Sequence, residues 1–310
     1  MEPMLELGID LFSAKLSLDL IEQVTRGAHS NAVVLQKFTD QVLANQEASS
    51  PEDLLRLGIG LYIIGQSSQA VEKLQGAKNC LEKCTVLGLA QRACGQYEDA
   101  LASFHKTLDF KADALVVATE KVETLIKARD LEGAEKALDS CSNYEGVSTE
   151  YHYQLAQLKK AQGAHDEAEK HAKKALALAP EHTDALFMLA LRADLVGNDD
   201  EAIDYYRQII ASGKSSVNVW LNLAILYEDH GDYEKASTCT EAVLTAFPSH
   251  ARALLFQKDI DSSKTMFFDE EREKKLSRKN QILETPISDF ELSVRSRNCL
   301  KKMNILTLGD

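Results

Sequence analysis

The sequence predicts an all-α solenoid of stacked helix–turn–helix units, and three observations carry that prediction. Ala100, Ala134, Ala168, Ala202 and Ala236 follow one another at 34-residue intervals. Gly95, Gly163, Gly197 and Gly231 stand five residues before four of them. In Val217–His250, the spacing of Trp220, Leu223, Ala224 and Tyr227 describes one face of a first helix, Gly231 permits a tight turn, and Ala236 lets a second helix approach closely. A fixed period of this length marks one elongated repeat array, although 310 residues would otherwise suffice for two compact domains.

Residues 1–50 show helical periodicity in Leu5, Ile9, Phe12 and Leu16 and again in Val34, Phe38 and Val42, without the repeat signature. They read as two or three capping helices, since the end unit of a solenoid covers an apolar face on one side only. Ser50, Pro51, Glu52 and Asp53 then open a helix: the serine hydroxyl accepts backbone N–H groups, proline suits the first helical position, and acids favour the positive helix end. Repeats are expected at 51–80, 81–114, 115–148, 149–182, 183–216 and 217–250. The interval from Gly65 to Gly95 is only 30 residues, which predicts a shortened second helix or loop in the first. The third repeat is irregular, with Lys121 in place of a leucine and Arg129 in place of the turn glycine, and a locally different turn is expected there. Pro180 and Pro248 mark the ends of second helices.

The residues Trp220, Leu223, Ala224, Tyr227, Ala236 and Pro248 resemble the signature of the tetratricopeptide repeat family. That resemblance implies a right-handed superhelix whose first-helix side chains line a concave groove that holds a protein or peptide segment. Carried onto this sequence, the lining includes Tyr153, Gln157, Phe187, Leu191, Leu221, Asn222, Ile225 and Glu228. A well-known subset of the family grips C-terminal carboxylates with lysine, arginine and asparagine, and only Asn222 matches that pattern. The reading is instead an apolar floor of Phe187, Leu191, Leu221 and Ile225 flanked by Asp184, Asp194, Glu228 and Asp229, suited to a segment with apolar anchors and some basic residues. The competing reading covers these side chains internally with the segment around Met266, Phe267 and Phe268.

After His250, residues 251–268 continue in phase as a capping helix, and 269–286 form a charged linker. Within it, EEREKKLSRK reads as a solvated helix, or else as a basic contact strip of Lys274, Lys275, Arg278 and Lys279. Beyond Thr285 and Pro286, the pieces ELSVRSRNCLK and NILTLGD in residues 287–310 resemble the start of the C-terminal domain of the bacterial RNA polymerase alpha subunit. That domain contacts DNA and transcription factors. The resemblance implies that Arg295, Asn298 and Cys299 face nucleic acid, while local packing of Val294, Leu300 and Met303 is the alternative. The sequence ends at Asp310, before the family's further helices, so DNA binding is expected only of a completed module. Residues after about 285 are expected to be disordered or to rest on the repeats.

A net charge of −13 argues against general binding of nucleic acid by the whole surface. The N-terminal apolar run is interrupted by Glu6, Asp10 and Lys15, so it reads as neither a signal peptide nor a membrane span, and a cytoplasmic location is expected. Six cysteines in a protein of this length read as reduced thiols. Cys80 and Cys84 stand one helical turn apart near Cys94, but no histidine sits at zinc-ligand spacing. Gly58, Gly60 and Gly65 lack the spacing and preceding strand of a nucleotide loop. The acidic pairs Glu98–Asp99, Asp166–Glu167 and Asp199–Asp200 recur beside the interhelical turn and read as helix-start acids. No catalytic residue, cofactor or metal is assigned, and a non-catalytic interaction scaffold is expected.

Overall fold

The computed structural model describes residues 11–47, 49–265, 270–290 and 292–310. Leu5 and Ile9, and the proposed internal cover at Met266, Phe267 and Phe268, lie outside the described residues. The chain divides into two units, residues 1–257 and 258–310.

The first unit opens with α1 (Leu18–Ala28) and α2 (Ala32–Ala44), each started by a side-chain cap, Ser17 on Leu20 N–H and Asn31 on Val34 N–H. The helical periodicity expected through Phe12 and Leu16 does not become a helix: residues 11–17 form turn and irregular backbone. Leu11 nevertheless is fully buried, and the carbonyls of Leu11 and Ala14 accept hydrogen bonds from Arg56, at 2.5 and 2.8 Å. These residues therefore cap by packing rather than by helical structure.

Six helical pairs follow: α3 (Pro51–Ile63) with α4 (Ser67–Gln75), α5 (Leu81–Ala93) with α6 (Tyr97–Lys106), α7 (Ala114–Lys127) with α8 (Leu131–Asp139), α9 (Thr149–Ala161) with α10 (His165–Leu178), α11 (Thr183–Leu195) with α12 (Asp199–Ala211), and α13 (Val217–Asp229) with α14 (Tyr233–Ala246). Every first helix begins within a residue of its expected repeat start. The shortfall in the first interval falls in α4 and the loop after it. There Lys83, 8% exposed, donates from Nζ to the carbonyls of Gln75 and Ala77 and to Asn79 Oδ1, which fastens the shortened loop.

The periodic alanines are all buried, so each second helix lies close against its first. Gly88 takes this furthest: a Cβ there would stand 2.7 Å from Cε1 of Phe104, the ring that fills the space between α5 and α6. The turns share one backbone form, with φ between 73° and 84° at Gly65, Gly95, Gly163, Gly197 and Gly231. Arg129 corrects the expectation of a different turn. Its φ is 65°, and the bonds Arg129 N–H to Ile126 O and Asp130 N–H to Leu125 O repeat those at Gly95 and Gln96. The array thus forces the left-handed turn onto a residue that disfavours it.

The last pair is covered by α15 (Ala251–Thr265), whose Ala253 and Phe256 pack with Leu221, Trp220 and Val243. The second unit contains α16 (Glu270–Leu283) and α17 (Val294–Lys302). Its C-terminal part is locally ordered. Ile287 N–H donates to Leu306 O at 2.9 Å, Leu308 N–H to Thr285 O at 3.1 Å, and Gly309 N–H to Leu283 O at 2.8 Å. The Asp310 carboxylate closes the final turn by accepting from the N–H groups of Leu306 and Thr307. Residues after 285 therefore have defined secondary structure, although little apolar area is buried. No described helix is long and apolar enough to cross a membrane.

Candidate protein-binding groove

The first helices α9, α11 and α13 bring together the groove residues expected from the sequence, but not equally. Tyr153, Gln157, Leu191, Ile225 and Glu228 are half-buried, with part of each surface open. Tyr153 packs against the cluster of Ala156, Ala172, Met188 and Leu189, and its hydroxyl accepts from Gln157 Nε2 at 2.6 Å. Burial, with the nearby carboxylate of Asp184, pushes the Tyr153 phenol well up, so it stays a neutral hydrogen-bonding group.

The other three expected residues make contacts within the protein, Phe187 and Asn222 while half-buried. Leu221 is fully buried beneath Val243 and Ala253, because α15 seals the position that an open groove would expose. It is not a surface contact. Phe187 sets its ring edge against Tyr206 at 6.1 Å, and Asn222 donates from Nδ2 to the Tyr206 hydroxyl at 3.1 Å. Both are engaged in joining α11 and α13 to α12.

The structure adds features that the repeat positions alone do not disclose. A pocket of about 110 Å³ opens between α9, α10 and α11, lined by Lys160, Ala168, Met188, Leu191, Arg192 and Leu195 among others. Leu195 is 82% exposed at its rim. Beside Tyr153, Glu150 accepts from Gln154 Nε2 at 3.0 Å and lies 3.4 Å from His182 Nε2. Burial works against the Glu150 carboxylate, yet the bonds from His182 and Gln154 prevail and hold it below the usual carboxylate range; the bond to Glu150 raises His182. Gln154 is 3% exposed, and its Oε1 has no partner. Further along, Arg92 bridges Glu120 at 2.7 Å and Glu123 at 3.2 Å, and Lys127 binds Glu123 at 2.8 Å. Burial raises the Glu120 carboxyl even so.

A larger cavity, about 790 Å³, is lined by Arg26 and His29 of α1 together with Lys214, Trp220 and Phe247 near the other end of the unit. Arg26 is paired with Glu22, His29 Nε2 meets the carbonyl of Ile63, and Trp220 Nε1 donates to Ser215, so these polar groups are satisfied within the protein.

Cys84 and Cys239 are buried in the packing, whereas Cys94 and Cys299 are exposed. Cys80 caps α5 by accepting Lys83 N–H on sulfur. Burial raises the Cys80 and Cys84 thiols, and it raises Cys239 to about 11. Among the described residues no cluster of three metal-ligating side chains occurs. On α17, Arg295, Asn298 and Cys299 are all exposed and share one face by their helical spacing, with Ser293 capping the helix on Ser296 N–H. No acidic residue lies in α17, which carries Arg295, Arg297, Lys301 and Lys302.

Fold and site together define a solenoid of six successive helical hairpins, α3 to α14. The tetratricopeptide repeat family model matches residues 153–217 and 221–257, which span α9 to α14 and the start of α15. The family model for the C-terminal domain of the bacterial RNA polymerase alpha subunit matches residues 273–310. Among curated proteins none matches the sequence. Solved structures with a similar fold include yeast Tom70, at 16% identity over 81% of this protein and 54% of that one, TM-score 0.58. A tetratricopeptide repeat protein from Parabacteroides merdae is similar at 14% identity over 77% of this protein and 98% of that one, TM-score 0.52. A component of the APC/C hetero-tetramer Cut9–Hcn1 aligns at 14% identity over 79% of this protein and 49% of that one, TM-score 0.47. The protein thus spans about half the length of the Cut9–Hcn1 component and of Tom70.

Proposed function

We propose that the protein is a non-catalytic scaffold that grips a protein segment along α9, α11 and α13 and is linked to transcription through its C-terminal segment. The observation that carries the groove reading is the run of partly open side chains Tyr153, Gln157, Leu191 and Ile225 on successive first helices of a tetratricopeptide array. The match of residues 273–310 to the polymerase alpha-subunit domain supports the transcription link, with RNA polymerase or transcription factors as partners. In this reading Arg295 and Asn298 contact DNA, and Cys299 lies beside them. Exposed Val294, Met303 and Leu306 favour a second reading, in which the same segment is a protein-binding module of an assembly adaptor or regulatory subunit without a nucleic-acid role.

Affinity purification of the full-length protein from its native cells, followed by mass spectrometry, tests both. A Leu195→Ser variant serves as the groove control. Recovery of polymerase subunits, with salt-sensitive DNA binding that Arg295→Ala weakens, supports the transcription link. Recovery of an unrelated complex that is lost in Leu195→Ser leaves the adaptor reading.

A further inference from the structure

We propose that the groove's occupant is a short basic polypeptide segment whose single aliphatic anchor seats in the pocket between Leu191 and Leu195, with its flanking lysines or arginines on the carboxylates of α9, α11 and α13. This rests on the groove reading above and names the partner's chemistry.

The pocket fixes the anchor. At about 110 Å³ it is far below the ~300–1,000 Å³ typical of small-molecule sites, and it suits one side chain rather than a cofactor. Met188, Leu189, Leu191 and Leu195 make its wall apolar. A lone exposed leucine is ordinary on a protein surface, but Leu195 continues the apolar wall of a preformed pocket.

Charge fixes what surrounds the anchor. Residues 258–310 carry 11 basic and 10 acidic side chains, so residues 1–257 carry a net charge of −14. On the first helices most cations are engaged: Arg92 and Lys127 bind Glu120 and Glu123, and Arg192 meets Asp166 and Glu169. The pocket's own lining carries Lys160, His165, Arg192 and Glu169, so the negative charge that meets the flanking residues lies elsewhere on α9, α11 and α13, where Glu150, Asp184, Asp194, Glu228 and Asp229 stand against Lys159, Lys160 and Arg192. The acids remain in excess. Asp184 and Asp229 are exposed, and half-buried Asp194 is pushed up first by burial and then by Asp199 and Asp229. An arriving ammonium or guanidinium would relieve that repulsion, whereas a phosphate or acidic peptide would add to it.

The test is fluorescence anisotropy with the full protein and a short labelled peptide carrying one leucine between paired lysines. Binding should weaken as salt rises. Leu195→Ser should weaken it about tenfold, as should replacing the peptide's leucine by alanine, and Asp184→Asn with Asp194→Asn should flatten the salt dependence. Thermal melts by circular dichroism confirm that the variants fold. A peptide with glutamates in place of lysines that binds equally well, or a lysine peptide indifferent to Leu195→Ser, overturns the proposal. So does a dimer in light scattering that Leu195→Ser abolishes, since the occupant would then be a second copy. If cellular partners depend on Leu195 but the basic peptide does not bind, this proposal falls and the groove reading stands. If neither depends on Leu195, the groove reading falls too.

Discussion

His182 joins two consecutive repeats through one ring: Nε2 lies 3.4 Å from Glu150 Oε2 on α9, while Nδ1 accepts the Ala185 N–H at 3.1 Å and caps α11. The neutral ring with its proton on Nε2 serves both bonds, whereas protonation of Nδ1 gives up the cap; the bond to Glu150 raises the His182 pKa.

The sign of the resulting pH dependence follows. The raised His182 contributes stability that is complete below its unfolded value of about 6.5 and lost as pH climbs through the folded one. The lowered Glu150 contributes above about 4.3 and loses it as pH falls through its depressed value. The pair should therefore stabilise most between roughly pH 4.5 and 6.5, by no more than about 1 kcal/mol because both groups are partly exposed. Melting temperatures of the wild type and His182→Ala should differ more at about pH 5.5 than at about pH 8.5. Glu150→Gln should remove most of that difference and lower the His182 pKa read by NMR titration.

Leu221 and Leu195 should behave oppositely although both are first-helix leucines. Truncating the fully buried Leu221 to alanine should cost about 2–5 kcal/mol in urea unfolding, and Leu221→Asp should cost more by placing a carboxylate under α15. Leu195→Ser should stay within about 0.5 kcal/mol of wild type.

Arg129→Gly should stabilise the protein by about 1 kcal/mol, since arginine is held at a φ of 65° where five other turns have glycine. Arg129 is exposed, so little packing is lost. A lower denaturation midpoint for the variant would mean that its guanidinium makes a contact worth more than the strain.

Gly88→Val should cost at least about 1–3 kcal/mol by overpacking against Phe104. Phe104→Leu in that background should return part of the loss, giving a non-additive double-mutant cycle in chemical denaturation.

The fold was readable because the 34-residue alanine and glycine spacing reports directly on close approach and turn geometry, which depend on single residues. The Arg129 turn was misjudged for the converse reason: flanking helices packed at both ends impose a backbone form that the local residue disfavours. The repeat register places Tyr153, Gln157 and Leu191 on first helices, and each keeps part of its surface open. Leu221 does not, because its exposure is decided by α15, a neighbour in space whose packing on α13 the repeat signature does not describe. The pocket at Leu195 depends on how α9, α10 and α11 diverge, which no one-helix pattern encodes. Nothing in the sequence marks Lys83, since only the folded loop shows three acceptors converging on its Nζ.

The principal helix contacts lie between elements one or two places apart along the sequence. Length changes should consequently obey a counting rule. Removing or duplicating 34 residues restores the same neighbours, and every later side chain keeps its face. Losing half that number would place a second helix where a first belongs and invert the remainder of the array. The 30-residue first interval evades the rule only because its missing residues come from the end of a helix and a loop, where Lys83 ties the shortened path together.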